Sequence, residues 1–225
     1  MCIHEVALHT AHQHGGVGPI LELRKRLFVD LLRWKVPVHK GMEYDEFDTV
    51  CARYLVGYDE VTGAARIVMR NLLCDRPYML QSLWADELAP GADLPSDATS
   101  VEGTRMGVDL TLPEDEQLRW RHHMSVALIE WALHYGVRQY SFVTYEDIAR
   151  KGLEREGWDV RYWGPPVDFP QGRFVAGHFP VDEDVLQRFR AKTGITGPVL
   201  VPLDDTQAVP PAQQIAAARL AQGAA

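Results

Sequence analysis

The apolar positions of the chain change period several times, and those changes mark out its elements. Ile20, Leu23, Leu27, Phe28, Leu31 and Leu32 recur at helical spacing, which predicts an amphipathic helix over Ile20–Trp34. "GGVGP" precedes it, Pro37 and Gly41 follow it, and residues 2–9 upstream form a candidate first strand. "ARYLVGYD" and "GAARIVMR", separated by Glu60, Val61 and Thr62, read as the two strands of a hairpin. Tyr78–Leu88 predicts a short helix. In "TSVEGTRMGVD" (99–109), strand alternation puts Val101, Gly103 and Arg105 on one face and Glu102, Thr104 and Met106 on the other. Thr111 and Glu114 have the spacing of a capping box, introducing a long helix over about 113–135 that Gly136 ends. "QYSFVT" reads as a buried strand, followed by a helix over 145–156 with Gly157 as its stop. "DVRYW" and "RFVAGHFPV" are strands around the loop "GPPVDFPQG", 183–193 is a helix, and "GPVLVPL" is a last strand.

Strands and helices thus alternate through one continuous domain, residues 1–203. The tight strand–helix–strand passage at 139–163 favours a mixed α/β sheet flanked by helices over a β-sandwich. The remaining tail, 204–225, holds Pro210-Pro211 and an Ala-rich stretch, the composition of a marginal helix or a disordered segment.

Composition narrows the function classes. With 46% hydrophobic residues the chain can bury a sizeable core, and a formal charge of −8 argues against a general nucleic-acid binder. Cys2, Cys51 and Cys74 are widely spaced and form no C-x-x-C, so neither a disulfide framework nor a zinc site is expected, and a reducing cytoplasm fits. The first residues are too polar for a signal peptide, and no apolar run approaches the roughly 18 residues that cross a bilayer.

Familiar catalytic motifs are missing: no P-loop, G-x-G-x-x-G or G-x-S-x-G occurs, and His122 and His123 lie about 100° apart on their helix, unable to share a metal. The informative stretch is "EYDEFD", where Glu43, Asp45, Glu46 and Asp48 alternate with Tyr44 and Phe47. Around it stand Arg24 and Phe28, i and i+4 on the first helix, then Trp34, Arg66 in the second hairpin strand, and Glu102 with Arg105. Singly, each has an ordinary reading as a surface charge, a core aromatic or a structural ion pair. Together they suit a zwitterionic ligand with an additional cation. Carboxylates can hold an ammonium, arginines a carboxylate, and aromatic faces a sulfonium.

Arg24-xxx-Phe28, Trp34, Glu43, Asp45, Asp48, Arg66 and Glu102-x-x-Arg105 resemble, in order and spacing, the signature of the acyl-homoserine lactone synthases, the autoinducer synthases of bacterial quorum sensing. The later "VTYEDIARKGLEREGWDVRYWGPP" is also similar to that family's C-terminal half, so the resemblance spans roughly 1–203. It implies a single-domain, GNAT-like acyltransferase fold with a mixed twisted sheet. The substrates implied are S-adenosyl-L-methionine and an acyl thioester on acyl carrier protein or coenzyme A, with no cofactor and no metal. Glu102 is then the general base, with Glu43 and Asp45 beside it at the reacting centre. Arg24, Phe28, Trp34, Asp48, Arg66 and Arg105 shape the S-adenosylmethionine pocket, and Trp84, Met106 and either Val143 or Thr144 line the acyl pocket. The basic residues Arg150, Lys151 and Arg155 form an expected docking face for an acidic carrier protein. "EGTRM" and Trp84 depart from the family pattern, which bears on substrate specificity. Two other readings are a GNAT-like N-acyltransferase acting on another amine and a non-catalytic binding module. Against the first, "LTLPEDEQLRWRHHMS" contains no glycine for a pyrophosphate loop.

Within the acidic stretch the resemblance selects Glu43, Asp45 and Asp48, which no single extended face contains together. A turn between Asp45 and Asp48 is therefore expected, with Glu46 left to solvent.

Overall fold

The computed structural model describes residues 1–8 and 17–203; the tail predicted over 204–225 lies outside the described residues. Two antiparallel strands, β4 (Arg53–Tyr58) and β5 (Ala65–Leu73), form the expected hairpin at the middle of the sheet. β1 (Ile3–Val6) lies antiparallel to β4, and β6 (Ser100–Val108) lies antiparallel to β5. β7 (Gln139–Tyr145) runs parallel to β6, and β10 (Gly172–Pro180) returns antiparallel to β7. With β8 (Arg161–Tyr162), β9 (Val167–Phe169) and β11 (Leu200–Val201) at the edges, the sheet has nine strands among the described residues, in the order β11-β1-β4-β5-β6-β7-β10-β8, β9 also pairing with β10. β2 (Val38–His39) and β3 (Met42–Glu43) make a separate small hairpin that opens the acidic stretch.

Period-2 patterning gives the sheet two apolar faces. One packs against α3 (Glu114–Tyr135) and α5 (Glu183–Thr193), with Ile67, Met69, Val101, Trp131 and Tyr140 in a common core. α3 is buried along most of its length, from Trp120 through Ala132, and Gly136 closes it in the left-handed conformation at φ 70°. The Asp182 carboxylate accepts the Val185 N–H and fixes the start of α5. The other face carries α1 (Gly18–Arg24) and α2 (Ala85–Leu88), over a second core that includes Leu23, Phe28, Phe47, Tyr54 and Leu80.

Where local expectations fail, the reasons are physical. The first helix is α-helical only to Arg24; Lys25–Leu31 continues as a wider π-type turn, and Arg33 at φ 58° ends it. Likewise π-type turns form Leu80–Trp84 ahead of α2, and Ala149–Glu154 after α4 (Glu146–Ile148). The capping box at Thr111 does not form: Pro113 takes the N-cap position, and the Thr111 hydroxyl donates to Asp109 at 2.8 Å. Strand "DVRYW" shrinks to Arg161–Tyr162, and β9 occupies part of the expected loop.

Two distortions of the sheet build the site. β6 and β7 pair only through Ser100–Glu102 and Gln139–Ser141, after which no pairing continues and the strands part. Between the pairs Val68↔Gly107 and Arg70↔Thr104, β6 carries an extra residue, a bulge with Arg105 at φ 53°.

Candidate active site

A cavity of about 550 Å³ opens where β6 and β7 separate, within the roughly 300–1,000 Å³ common for small-molecule sites. Its walls are mainly apolar. Trp34, Phe47, Met79, Trp84, Val143 and Phe174 face it, with Asp45, Glu102, Thr104 and Arg105 as polar groups and Lys35, Glu46 and Gln171 also lining it.

Behind this wall is a network of three guanidiniums and three carboxylates. Arg24, wholly buried, donates its Nε to Glu43 at 2.6 Å and forks onto both Asp48 oxygens at 2.7 and 2.9 Å. Arg70 forks onto both Asp45 oxygens at 2.6 and 3.0 Å and reaches Asp48 at 2.8 Å. Arg105 donates to Glu43 at 3.2 Å and to Asp45 at 2.7 Å. The Tyr54 hydroxyl adds a donor to Asp48 at 2.7 Å. Charges balance three to three, and planar forks meet planar carboxylates, which makes burial tolerable. Burial alone would raise the Asp48 carboxyl, but the Arg24 fork and the nearby Arg70 charge hold it well below the usual carboxylate range.

The acidic stretch makes the turn expected between Asp45 and Asp48. Asp48 N–H donates to the Asp45 carbonyl at 3.1 Å, Phe47 N–H to the Asp45 side chain, and Asp45 N–H to Asp48. Glu46 is exposed. One network therefore joins α1, the acidic stretch, β5 and β6 around the cavity.

Glu102 differs from the other acids. It is fully buried yet faces the cavity, and it has no arginine bonded to it. Its oxygens accept only the Met79 and Leu80 N–H groups, at 2.7 and 2.9 Å. Burial pushes its carboxyl up to about 7, against those two N–H groups and the more distant Arg70 and Arg105 charges. Such a group exchanges protons near neutrality and keeps acceptor capacity, as a general base must.

Several expected positions are corrected. Arg66, expected in the pocket, lies one helical-turn's worth of sequence too early: it pairs with Asp59 at 3.1 Å and Asp109 at 3.0 Å at the far end of β5. Arg70, four residues on, is the β5 arginine that joins the network behind the cavity, on Asp45 and Asp48. Both arginines lie on one face of the same strand between apolar neighbours, so the pattern did not separate them; Arg70's only distinguishing mark is its more central place in β5. Glu43, expected among the reacting acids, does not line the cavity, and both of its oxygens are held by Arg24 and Arg105. Asp45 does line it, but each oxygen already accepts two donors. Alternation had separated Arg105 from Glu102; the bulge re-aims Arg105 to the Glu102 side and leaves Met106 exposed, away from the expected acyl pocket.

Phe28 is buried, and with Trp34 it forms a stack at 4.9 Å between ring centroids. The Arg105 guanidinium sits over both rings, 5.6 and 5.4 Å away, so Phe28 supports an arginine rather than an exposed ligand cation. Trp34 lines the cavity, its Nε1 held by the Tyr145 hydroxyl at 3.0 Å. Val143 and Trp84 line the cavity; Thr144, one residue on, is not among the lining residues. Met79 was not foreseen: its N–H holds Glu102 and its sulfur accepts from Arg70 at 3.1 Å.

The expected basic docking face is neutralised within its own helix. Arg150 pairs with Glu146 and Glu154, and Lys151 with Asp147, while Arg155 is exposed.

Comparison with known proteins settles the family. Residues 9–189 match the family described as autoinducer synthase. The chain belongs to the autoinducer synthase family. Among curated members, an acyl-homoserine-lactone synthase of Rhizobium radiobacter is 31% identical over 185 residues, 79% of this chain and 84% of that one. Another, from Pseudomonas amygdali pv. tabaci, is 28% identical over 204 residues, 87% of this chain and 85% of the relative. Of solved structures, the CoA-dependent acyl-homoserine lactone synthase BjaI, with SAM and isopentyl-CoA, superposes with a TM-score of 0.81 at 19% identity, covering 97% of this chain and 99% of that one. An acyl-CoA N-acyltransferase from Pseudomonas aeruginosa superposes at 0.50 with 14% identity, over 80% of this chain and 99% of its own. This autoinducer synthase thus has a mixed α/β fold like that of the GNAT-type acyltransferases. No helix of the described residues is long and apolar enough to cross a membrane.

Proposed function

We propose that the protein is an acyl-homoserine lactone synthase: it transfers an acyl group from a thioester to the amine of S-adenosyl-L-methionine, then closes the lactone with release of methylthioadenosine. The observation that carries this reading is the cavity itself, an apolar chamber at the parting of β6 and β7 whose polar wall combines Glu102, Asp45 and Arg105. Named relatives in the same family support it.

Each step has a candidate group. Arg105 keeps Nη1 available, its only contact there being the Met79 sulfur at 3.8 Å, so it can receive the methionine carboxylate. Glu102 takes a proton from the methionine ammonium, directly or through one water, freeing the nitrogen lone pair to attack the thioester carbonyl. Backbone N–H groups along the parted edges of β6 and β7 are the candidate donors for the tetrahedral oxyanion. Collapse expels the thiolate. The methionine carboxylate oxygen then displaces methylthioadenosine from the γ-carbon, an intramolecular step helped chiefly by alignment. Asp45, Asp48, Glu43, Arg24 and Arg70 fix the wall against which the ligand lies.

The rival N-acyltransferase reading needs a pyrophosphate site at the start of α3. That first turn carries Glu114, Asp115 and Glu116, which disfavours a pyrophosphate at that place in either reading. The thioester carrier is acyl carrier protein or coenzyme A. The test is product analysis: the purified protein is given S-adenosylmethionine with a panel of both donor types, and products are identified by mass spectrometry. Acyl-homoserine lactone with stoichiometric methylthioadenosine is expected. An acylated amine without methylthioadenosine would overturn the proposal.

A further inference from the structure

Across three neighbouring strands, one row of the sheet carries Glu102, Ser141 and His178. Glu102 is the register partner of Ser141 on parallel β7, and Ser141 is the register partner of His178 on antiparallel β10. Register partners share a sheet face with Cβ atoms about 4.5–5.5 Å apart, so the three side chains stand side by side. The row lies on the cavity face, where Val143 and Ala176 also point.

Two polar atoms of this row are unaccounted for. Ser141 is wholly buried and its Oγ has no hydrogen-bond partner; the Nδ1 of His178 is also buried and unpartnered. Buried hydroxyls are normally satisfied, and leaving one unpaired costs about 1–3 kcal/mol. His178 is half-buried and stacked on Trp163 at 4.2 Å between centroids. Besides Glu102 beyond Ser141, the charged groups near it are Arg161 on β8 and Asp159; burial first, then Arg161, keep its imidazole below the ordinary histidine range, hence neutral and able to accept.

The proposed chemistry creates a need for such a row. S-adenosylmethionine enters as an ammonium, and two protons leave its nitrogen on the way to the amide. One goes to the departing thiolate. The other has no acceptor among the products, because lactone closure consumes a carboxylate and releases a neutral thioether. Glu102, fully buried and covered by substrates during turnover, must pass that proton to solvent.

We propose that Ser141 and His178 form a proton relay from Glu102 to the surface. The Ser141 hydroxyl, unpartnered in this structure, turns between its two register neighbours: it accepts the Glu102 proton as it donates its own to the His178 imidazole. His178 then releases a proton to solvent, and rotation of the hydroxyl resets the row. Both residues act through Glu102 and neither touches substrate. The proposal rests on the acyl-transfer reading above.

The experiment compares wild type with Ser141→Ala, Ser141→Thr, His178→Ala and the Ser141→Ala/His178→Ala double variant, following methylthioadenosine release at saturating substrates. Melting curves confirm each fold. Lactone formation by the wild type secures the acyl-transfer reading independently of the relay; its absence would sink both. The relay predicts about a tenfold fall in kcat for Ser141→Ala and for His178→Ala, with unchanged KM, and a double variant no worse than either single one. Ser141→Thr keeps its hydroxyl and retains activity, and added imidazole restores His178→Ala. Unchanged kcat in both single variants, multiplying losses in the double variant, or no imidazole rescue would each overturn the relay.

Discussion

Arg66 and Arg70 stand four residues apart on one face of β5, and the protein uses them in opposite ways. Arg70 has 0% of its side chain exposed and is enclosed by Asp45, Asp48, Thr104 and Met79. Arg66 is 21% exposed and bridges Asp59 and Asp109 at the strand's outer end. An ion pair near water gives up little hydration and gains little, whereas a buried guanidinium that loses its partners, or leaves them, has no solvent to fall back on. Identical chemistry on one strand therefore builds the network behind the cavity nearer its middle and a surface tie at its outer end. The difference is set by what the acidic stretch brings over β5, not by β5 itself.

The sharpest way to break that comparison is Arg70→Ala. It leaves three buried carboxylates with two guanidiniums, Asp45 keeping Arg105 and Asp48 keeping Arg24, and we expect a loss of about 3–5 kcal/mol in urea unfolding. A loss below about 1 kcal/mol would show that the network is not what holds the wall. Asp48→Asn is gentler: it keeps shape but removes one charge, with an expected cost of about 2 kcal/mol at pH 7. Because the folded-state carboxyl is depressed, its contribution is present above the unfolded value near pH 4 and is lost as pH falls below it. The wild-type advantage over Asp48→Asn should accordingly vanish in strong acid, and an advantage independent of pH would argue against the assignment. Arg66→Ala is the small effect, within about 1 kcal/mol and without change in KM for S-adenosylmethionine.

The same contrast explains what the sequence made legible. The bounds of α3 and α5 were legible nearly residue for residue, α3 from the signals at its ends, the Thr111–Glu114 spacing and Gly136, although the capping box itself does not form. The turn between Asp45 and Asp48 was legible once the family resemblance had singled out Glu43, Asp45 and Asp48, which no extended face holds together. Arg70 was missed because alternation reports which face a residue shares, not how far along the strand the other elements cover it. The position of Arg105 was unreadable for another reason: alternation assumes an unbroken ladder, and a non-glycine residue at φ 53° in a bulge leaves no compositional mark. Thr111 had two local partners within reach and took Asp109 instead of the helix N-terminus. The basic helix looked like a docking face because its acids, four residues away in sequence, were counted separately.

The central claim is that the network builds the pocket while Glu102, the acid without an arginine bonded to it, handles the proton. A group pushed up to about 7 is protonated below that value, so kcat/KM for the wild type should fall as pH drops through about 7 and level off above it. The measurement that tests the claim most directly combines calorimetric binding of S-adenosylmethionine with single-turnover product formation for Glu102→Gln. Binding within about threefold of wild type and turnover lowered about 100-fold or more is the expected result. Lost binding with unchanged turnover of the bound complex would contradict it, and would move Glu102 from the reaction to the scaffold.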